Sequence, residues 1–314
     1  MEKISLQPEQ AAEKEKFNFP EIEAIKEDMV SLCGKMKESI DQGKYTVLVS
    51  DEVGGRIPTL ILRKIIKRIH PEEELRTLFV ASGQKSDLPD YDKQGDKDDY
   101  QKLVKHLSVN SEDYVLLITQ FIYSGHTIEK LSAALRDSGC GLRGLDVAAT
   151  SSFHLSEDRL KKGIVTSEDE DEMYRNGQIR ARRQISADNI FVGGMTQSTK
   201  ELEQKHNRLA GVAKEREYNP SPMLYTKYIE KYGKSMGFFS DEELKEIFGL
   251  DESDSAEEIF KKKWETPGNM KKYKEIMSKP LSEEEKKQIM EDIKKAREDV
   301  ETLAGMILKE VWGL

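Results

Sequence analysis

The sequence has few of the features that mark secreted, membrane-spanning or nucleic-acid-binding proteins. Its 314 residues include only two cysteines, Cys33 and Cys140, too few for a disulfide framework and typical of a reducing cytoplasm. No stretch approaches the roughly 20 apolar residues of a transmembrane helix, and the N-terminus lacks the apolar core of a signal peptide. A formal net charge of -9 disfavours general affinity for nucleic acid. We therefore expect a cytoplasmic protein without a membrane partner, for which nucleic acid is an unfavoured ligand.

Apolar runs alternate with helical patterns along most of the chain. The runs YTVLVS from Tyr45, VLLI from Val115 and GLDVAAT from Gly144 are continuous rather than alternating, which is typical of a parallel sheet covered by helices on both faces. Ahead of them, apolar residues at helical spacing predict one amphipathic helix from Pro20 to Gly43. After about residue 198 the chain is rich in Lys, Glu and Met, with little strand signal.

These patterns predict an α/β fold and three regions. Residues 1–44 form a leader and a helix, residues 45–197 form an α/β domain with a mostly parallel sheet flanked by helices, and residues 198–314 form a helical C-terminal extension. Ligands of such sheets bind beside the carboxyl ends of the strands, so the strand-to-helix connections are the first places to look for a site.

The first such connection is SDEVGGRIPTL, which begins at Ser50. Its adjacent glycines, Gly54 and Gly55, allow backbone N–H groups to approach an anion closely. The guanidinium of Arg56 offers a planar fork suited to phosphate oxygens. The alternative is an ordinary glycine turn whose arginine pairs with a surface acid, and this segment alone does not decide between the two.

The second connection, VLLITQFIYSGHT, begins at Val115. Ser124, Gly125 and Thr127 would offer hydroxyl and backbone donors at a helix N-terminus, where the partial positive charge favours an anion. The alternative is simple capping of the free N–H groups of the helix. His126 lies in the same loop, either beside a bound phosphate or as a surface imidazole.

The order and spacing of these segments resemble the type I phosphoribosyltransferase superfamily. The motif of that family is four apolar residues, two acids, two apolar residues, any residue, and then Thr/Ser-Gly-x-Thr. The residues that match it are Val115–Ile118, Phe121, Ile122, Ser124, Gly125 and Thr127. Both acidic positions differ, because they correspond to Thr119 and Gln120, so the motif is degenerate. The resemblance spans roughly residues 45 to 150 and has no counterpart for the C-terminal extension.

The resemblance implies a phosphoribosyltransferase-like (Rossmann-like) sheet and a site for phosphoribosyl pyrophosphate (PRPP) or a nucleotide, with a role in nucleotide metabolism. By position, the residues that would bind the 5-phosphate are Ser124, Gly125, His126 and Thr127. The pyrophosphate would face Gly54, Gly55 and Arg56, and the ribose would face Thr119 and Gln120. A long polar loop over residues 83–99 would close over the site. Mg²⁺ is the cofactor that the resemblance implies.

The missing acids weaken the expectation of catalysis. A hydrogen bond to an ionised group contributes about 1.5–3 kcal/mol, against about 0.5–1.5 kcal/mol for a neutral one, so two replacements forfeit on the order of 2–4 kcal/mol. If the loss falls on the transition state, standard transferase activity is weak or absent. Magnesium would also lose protein ligands. Asp51 and Glu52 are candidate replacement acids, although they could instead cap the turn or pair with Arg56, and we identify no metal-binding set.

Three hypotheses remain open. In the first, the chain binds a phosphorylated ribose ligand as a sensor or regulatory module. In the second it is an active glycosyltransferase, or another sugar-phosphate enzyme, with acids supplied from elsewhere. In the third it is a scaffold whose C-terminal helices bind a protein partner. The third rests on the apolar end AGMILKEVWGL, whose alternative role is to pack on its own domain. A homodimer is also open, since the family is often dimeric.

Overall fold

The computed structural model describes the parts of the chain that carry the sheet and its helices. The described ranges are residues 17–52, 54–81, 108–122, 125–137, 141–153, 184–196, 213–215, 219–221 and 283–314, with the single positions 159, 162, 163, 249 and 262. Predictions about Ser124, Cys140 and the polar loop over 83–99 lie outside these residues. Of Asp51, Glu52 and His126 only the backbone is described.

A parallel five-stranded sheet forms the centre of the molecule, which confirms the prediction of an α/β fold. Its strands are β1 (Val47–Glu52), β2 (Arg76–Ala81), β3 (Tyr114–Ile122), β4 (Gly144–Phe153) and β5 (Asn189–Thr196). The described helices are the short α1 (Pro20–Ala24), α2 (Lys26–Asp41), α3 (Arg56–Ile69), α4 (His126–Asp137) and α5 (Glu283–Ile307), the last continuing into a π-helical turn over Leu308–Trp312. Two short strands, β6 (Ala213–Glu215) and β7 (Asn219–Ser221), pair antiparallel.

The predicted single helix from Pro20 to Gly43 is interrupted at Ile25. This residue has φ -89° and ψ 3°, outside the helical range, and separates α1 from α2. Its side chain is fully buried together with that of Ile22, so both helices still direct their apolar residues into one core. Because apolar residues are buried on both sides of the break, their helical spacing in the sequence continues across it.

The strand order of the sheet is β2-β1-β3-β4-β5. β1 pairs with β2 as far as Glu52↔Ala81, but its pairing with β3 ends at Ser50↔Ile118. β3 itself continues and pairs with β4 as far as Ile122↔Ser152. The carboxyl ends of β1 and β3 therefore separate, and this is the point of the sheet at which the strand order changes direction.

Helices cover both faces of the sheet, and each face has its own apolar core. Along β3, Leu116 and Ile118 belong to the core shared with α1, α2, α3 and α5. Val115 and Leu117 belong to the second core, which contains Leu131 of α4. Successive residues of β3 are buried on opposite faces, which is the reason that its sequence is a continuous apolar run.

The C-terminal helix α5 is part of the first core. Its buried residues are Ala296, Val300, Leu303, Ala304 and Ile307, followed by Leu308 in the π-helical turn. Beyond them, the indole N–H of Trp312 donates to a carboxylate oxygen of Asp41 in α2 at 2.6 Å. The apolar C-terminal end thus packs on its own domain. Among the described helices, none is both long and apolar enough to cross a membrane.

A buried carboxylate joins α5 to the segment before α1. Asp299 accepts hydrogen bonds from the backbone N–H of Asn18 (3.0 Å), from its side-chain amide (2.8 Å) and from the backbone N–H of Phe19 (2.8 Å). Asp299 is 2% exposed, so these bonds are shielded from water. The contact connects parts of the chain that are far apart in sequence.

Replacing Asp299 by alanine should destabilise the fold by about 2–4 kcal/mol, because shielded N–H groups lose their charged acceptor. Glu298→Ala is the matched control, since Glu298 is exposed and should change the free energy of unfolding by less than about 0.5 kcal/mol. Urea denaturation of both variants measures the difference. Equal effects of the two substitutions would contradict the structural role of Asp299.

Candidate functional site

Two glycine segments follow the carboxyl ends of β1 and β3, beyond the point where the pairing of these strands ends. The Gly54–Gly55 turn follows β1 and leads into α3, whereas Gly125 lies between β3 and α4. The two helices leave toward opposite faces, since α3 belongs to the first core and α4 to the second. We call the region beyond the last β1–β3 pair, with one glycine segment after each strand, the crevice between β1 and β3.

The glycine turn packs directly against the end of β3. A Cβ atom added at Gly54 would lie 3.2 Å from Oε1 and 3.3 Å from Cβ of Gln120, which is tighter than ordinary van der Waals contact. The backbone at Gly54 therefore approaches the Gln120 side chain more closely than another residue comfortably allows. This packing is a reason for glycine at position 54 that does not depend on any ligand.

Thr119 and Gln120 are buried where β3 borders the crevice. Thr119 is 2% exposed and Gln120 is 5% exposed, and the Thr119 hydroxyl donates to the carbonyl of Phe121 at 3.5 Å. Both side chains are neutral, at the two positions where the motif described in the sequence analysis would have acids. Ionised carboxylates in so buried a place would need a cation or strong donors nearby.

Two buried serine hydroxyls, one on each strand next to β3, have no hydrogen-bond partner among the described residues. Ser50, the last residue of β1 that pairs with β3, is fully buried, and its Oγ has no partner among the described residues. The same holds for Ser152 near the end of β4. Buried polar atoms are normally hydrogen-bonded, so this end of the sheet has capacity for a ligand or a water.

Arg56, the first residue of α3, is directed toward β2 rather than β3. Its guanidinium carbon lies 3.9 Å from the ring centroid of Phe79, which is opposite Ser50 in the β1–β2 pairing. Burial, together with the positive charge of Arg297 in α5, lowers the pKa of Arg56 to about 10. Arg56 is still a cation at neutral pH, and its plane is fixed by stacking on an aromatic ring.

Gly125 has the backbone conformation expected of a glycine-dependent loop. Its φ of +66° lies in the left-handed region, and its carbonyl accepts the backbone N–H of Glu129 at 2.8 Å, within the first turn of α4. Gly125 is buried and Thr127 is half-buried in that turn. The backbone of His126 begins α4, but its side chain and all of Ser124 lie outside the described residues. A phosphate-binding role for these four residues stays a prediction.

The described residues alone do not make a magnesium site. No group of three or more His, Cys, Asp or Glu side chains among them is arranged to hold a metal ion. The backbone of Asp51 and Glu52 continues β1 past its last pairing with β3, so both residues border the crevice. The neutral oxygens of Thr119 and Gln120 are weak ligands for Mg²⁺, which prefers carboxylate and phosphate oxygens.

The opposite edge of the sheet holds a polar cluster that is satisfied internally. Asp146 is fully buried and accepts from Lys44 (2.8 Å), the Tyr45 hydroxyl (2.9 Å) and the Asn189 amide (2.9 Å). The Lys44 ammonium also lies 4.3 Å from the ring centroid of Tyr114. These contacts fill the hydrogen-bonding capacity of the carboxylate, so the cluster stabilises the strands and is not a candidate site.

Sequence reasoning missed two parts of the carboxyl-edge arrangement. The stacking of Arg56 on Phe79 joins two elements without a common motif, and the nearness of Arg297 depends on how α5 docks. Helical periodicity predicted a helix in the C-terminal region, but periodicity does not say which surface the helix covers.

No model of a known protein family matches the chain, and no curated protein matches it.

Gly125→Ala should destabilise the protein by about 1–2 kcal/mol, because alanine is strained at positive φ. Gly34→Ala is the control, since Gly34 lies within α2, is exposed and has open space around its Cα. That substitution should stabilise the fold by about 0.5–1 kcal/mol. The free energies of unfolding in urea test both, and a stabilising effect at Gly125 would refute the described loop geometry.

Proposed function

We propose that this chain binds a phosphorylated ribose ligand, PRPP or a nucleotide, at the crevice between β1 and β3, with weak or no standard phosphoribosyltransferase activity. The observation that carries the proposal is the separation of β1 and β3 beyond Ser50↔Ile118, with a glycine segment on either side. The phosphate would lie against the N-terminal turn of α4, and the pyrophosphate, or the group that replaces it, against the turn before α3.

The strand order supports this position for the ligand. In doubly wound sheets of order 2-1-3-4-5, ligands bind outside the carboxyl ends of the strands between the first and third strands. The helices that follow these strands leave toward opposite faces, so their N-termini flank the crevice. Partial positive charge at both N-termini favours an anionic ligand. Arg56 adds a full positive charge beside one of them.

The side chains at the end of β3 support binding more than catalysis. Thr119 and Gln120 would hydrogen-bond ribose hydroxyls without adding negative charge. Glycosyl transfer in the resembling family develops positive charge on the ribose, and neutral groups stabilise such a state less than carboxylates do. The forfeited 2–4 kcal/mol estimated above corresponds to a rate penalty of roughly thirty- to a thousandfold. A protein that holds the ligand intact can act as a sensor of its concentration.

Magnesium would enter this site mainly through the ligand. A PRPP–magnesium complex brings its own phosphate oxygens, which are preferred ligands of the ion. Asp51 and Glu52 are the acids of this chain whose backbone borders the crevice at the end of β1. They would hold the ion if the protein contributes any carboxylate there.

The same acids motivate a second candidate, an active transferase. Asp51 and Glu52 continue β1 beyond its pairing with β3, opposite the neutral pair on β3. In that arrangement one of them would take the place of the missing acids from the other side of the crevice. The ligand and its orientation are the same in both candidates, and the difference is whether the glycosidic bond breaks.

Isothermal titration calorimetry with PRPP, with and without magnesium, tests the binding proposal. We expect saturable binding without release of pyrophosphate when a panel of nucleobases is added. Rapid pyrophosphate release with one base would favour the active transferase. No binding of PRPP, ribose 5-phosphate or any nucleoside monophosphate would refute both candidates.

Gln120→Glu should strengthen magnesium-dependent binding of PRPP by about tenfold, because a nearly isosteric carboxylate restores one acid at the end of β3. The control is Gln42→Glu, which adds the same charge at an exposed residue just after α2. Calorimetry with and without magnesium should show a gain for Gln120→Glu only when the ion is present. Unchanged affinity would contradict the placement of the ribose at Gln120.

A further inference from the structure

Ser50 lies at the last point where β1 pairs with β3, on the face of the sheet that α3 covers. It follows Leu48 by two residues, so both side chains are on the face that carries the first core. Its neighbours across the sheet are Phe79 of β2 on one side and Ile118 of β3 on the other. The Ser50 hydroxyl is therefore placed between an aromatic and an aliphatic side chain.

The glycine turn and the start of α3 lie over the same face. Gln120 is on this face one step nearer to the carboxyl edge, and a Cβ added at Gly54 would lie 3.2 Å from its Oε1. The guanidinium of Arg56, the first residue of α3, lies over the ring of Phe79. The turn thus spans from Gln120 to Phe79, and Ser50 beneath it is 0% exposed.

The hydroxyl of Ser50 is buried without compensation. Its Oγ has no hydrogen-bond partner in the part of the chain that the structure describes. A buried donor that lacks an acceptor lowers stability, and such a group in a native protein calls for an explanation. Alanine would fill the same space between Phe79 and Ile118 at lower cost. The serine is therefore explained best by a state of the protein in which the hydroxyl has a partner.

The start of α3 is a favourable place for an anion that could be this partner. The N-cap residue is Gly55, which has no side chain to cap the helix, and the first turn contains no acid. The backbone N–H of Thr59 donates to the carbonyl of Gly55 at 3.0 Å, and N–H groups that precede it in the turn have no acceptor within the helix. The partial positive charge of the helix favours an anion at this point. One anion could accept from the helix N-terminus and from the Ser50 hydroxyl together.

We propose that the hydroxyl of Ser50 binds a phosphoryl oxygen of the ligand, after the Gly54–Gly55 turn has moved away from Gln120. A hydroxyl donates a short, charge-assisted hydrogen bond to a phosphate oxygen. The two glycines allow the turn to change its backbone conformation without strain from side chains. The assignment of the anion to the pyrophosphate end of a phosphoribosyl ligand rests on the proposed function.

This arrangement gives Ser50 opposite effects in the two states of the protein. Without ligand, the unsatisfied hydroxyl lowers the stability of the fold. With ligand, the same hydroxyl contributes to affinity, and the bound anion stabilises the form in which the hydroxyl is satisfied. A merely structural serine would lack this opposition, because its removal would not raise the melting temperature.

Ser50→Ala in the full-length chain tests the proposal by thermal unfolding and by calorimetry with inorganic pyrophosphate. Without ligand, the variant should melt about 2–6 °C above the wild type, because the unsatisfied hydroxyl is removed. Its affinity for pyrophosphate should fall by about ten- to a hundredfold. A melting temperature equal to or below that of the wild type would refute the proposal, and so would an unchanged affinity.

Ser152→Ala is the matched control. Ser152 is also fully buried, and its Oγ likewise has no partner among the residues described. It lies near the end of β4, opposite Ile122 of β3 and Met195 of β5, and so on the far side of β3 from the glycine turn. The control should raise the melting temperature by a similar amount and leave the affinity for pyrophosphate within about threefold. An equal loss of affinity in both variants would refute the assignment to Ser50.

Calorimetry with PRPP separates this inference from the proposed function. If PRPP binds the wild type and Ser50→Ala equally well, the inference is refuted and the proposed function stands. If pyrophosphate binds and depends on Ser50 while PRPP and nucleotides do not bind, the anion site stands and the proposed function falls. If neither pyrophosphate nor PRPP binds the wild type, both are refuted.

Discussion

The pairing of β1 with β3 is the constraint on which the rest of the structure depends. It places a strand from later in the chain beside β1, on the side away from β2, and it ends before either strand does. The crossover helices consequently leave toward opposite faces, and a crevice opens between the strand ends. This single pairing brings Gly54, Gln120 and Gly125 to the same edge of the sheet, although Gly54 is distant in sequence from the other two.

The strands could be predicted from sequence because of the way in which they are buried. Continuous apolar runs led to β1, β3 and β4 within a few residues of their observed bounds, since helices cover both faces and leave no polar side to interrupt the run. The break at Ile25 could not be predicted in this way. A buried isoleucine looks the same in a continuous helix and in an interrupted one, and only tertiary packing distinguishes them.

The backbone of the candidate site could be predicted from the sequence, but the positions of its charged side chains could not. A glycine turn and a Ser-Gly-x-Thr segment are local patterns, and their neighbourhood follows once the strand order is known. The position of the Arg56 side chain depends on Phe79, and the charge beside it comes from α5. Such long-range contacts leave no local sequence signal. In the sequence, Arg297 is one of many charged residues in a helical segment, and nothing beside it indicates its position near Arg56.

The bond network of Asp299 bears on how the polypeptide is made. Asn18 and Phe19 emerge from the ribosome early, but their acceptor follows only after nearly the whole domain has been translated. Until α5 has been synthesised, the apolar layer that it covers remains open to solvent. The nascent chain therefore exposes this apolar surface for a long interval, during which it is prone to aggregate.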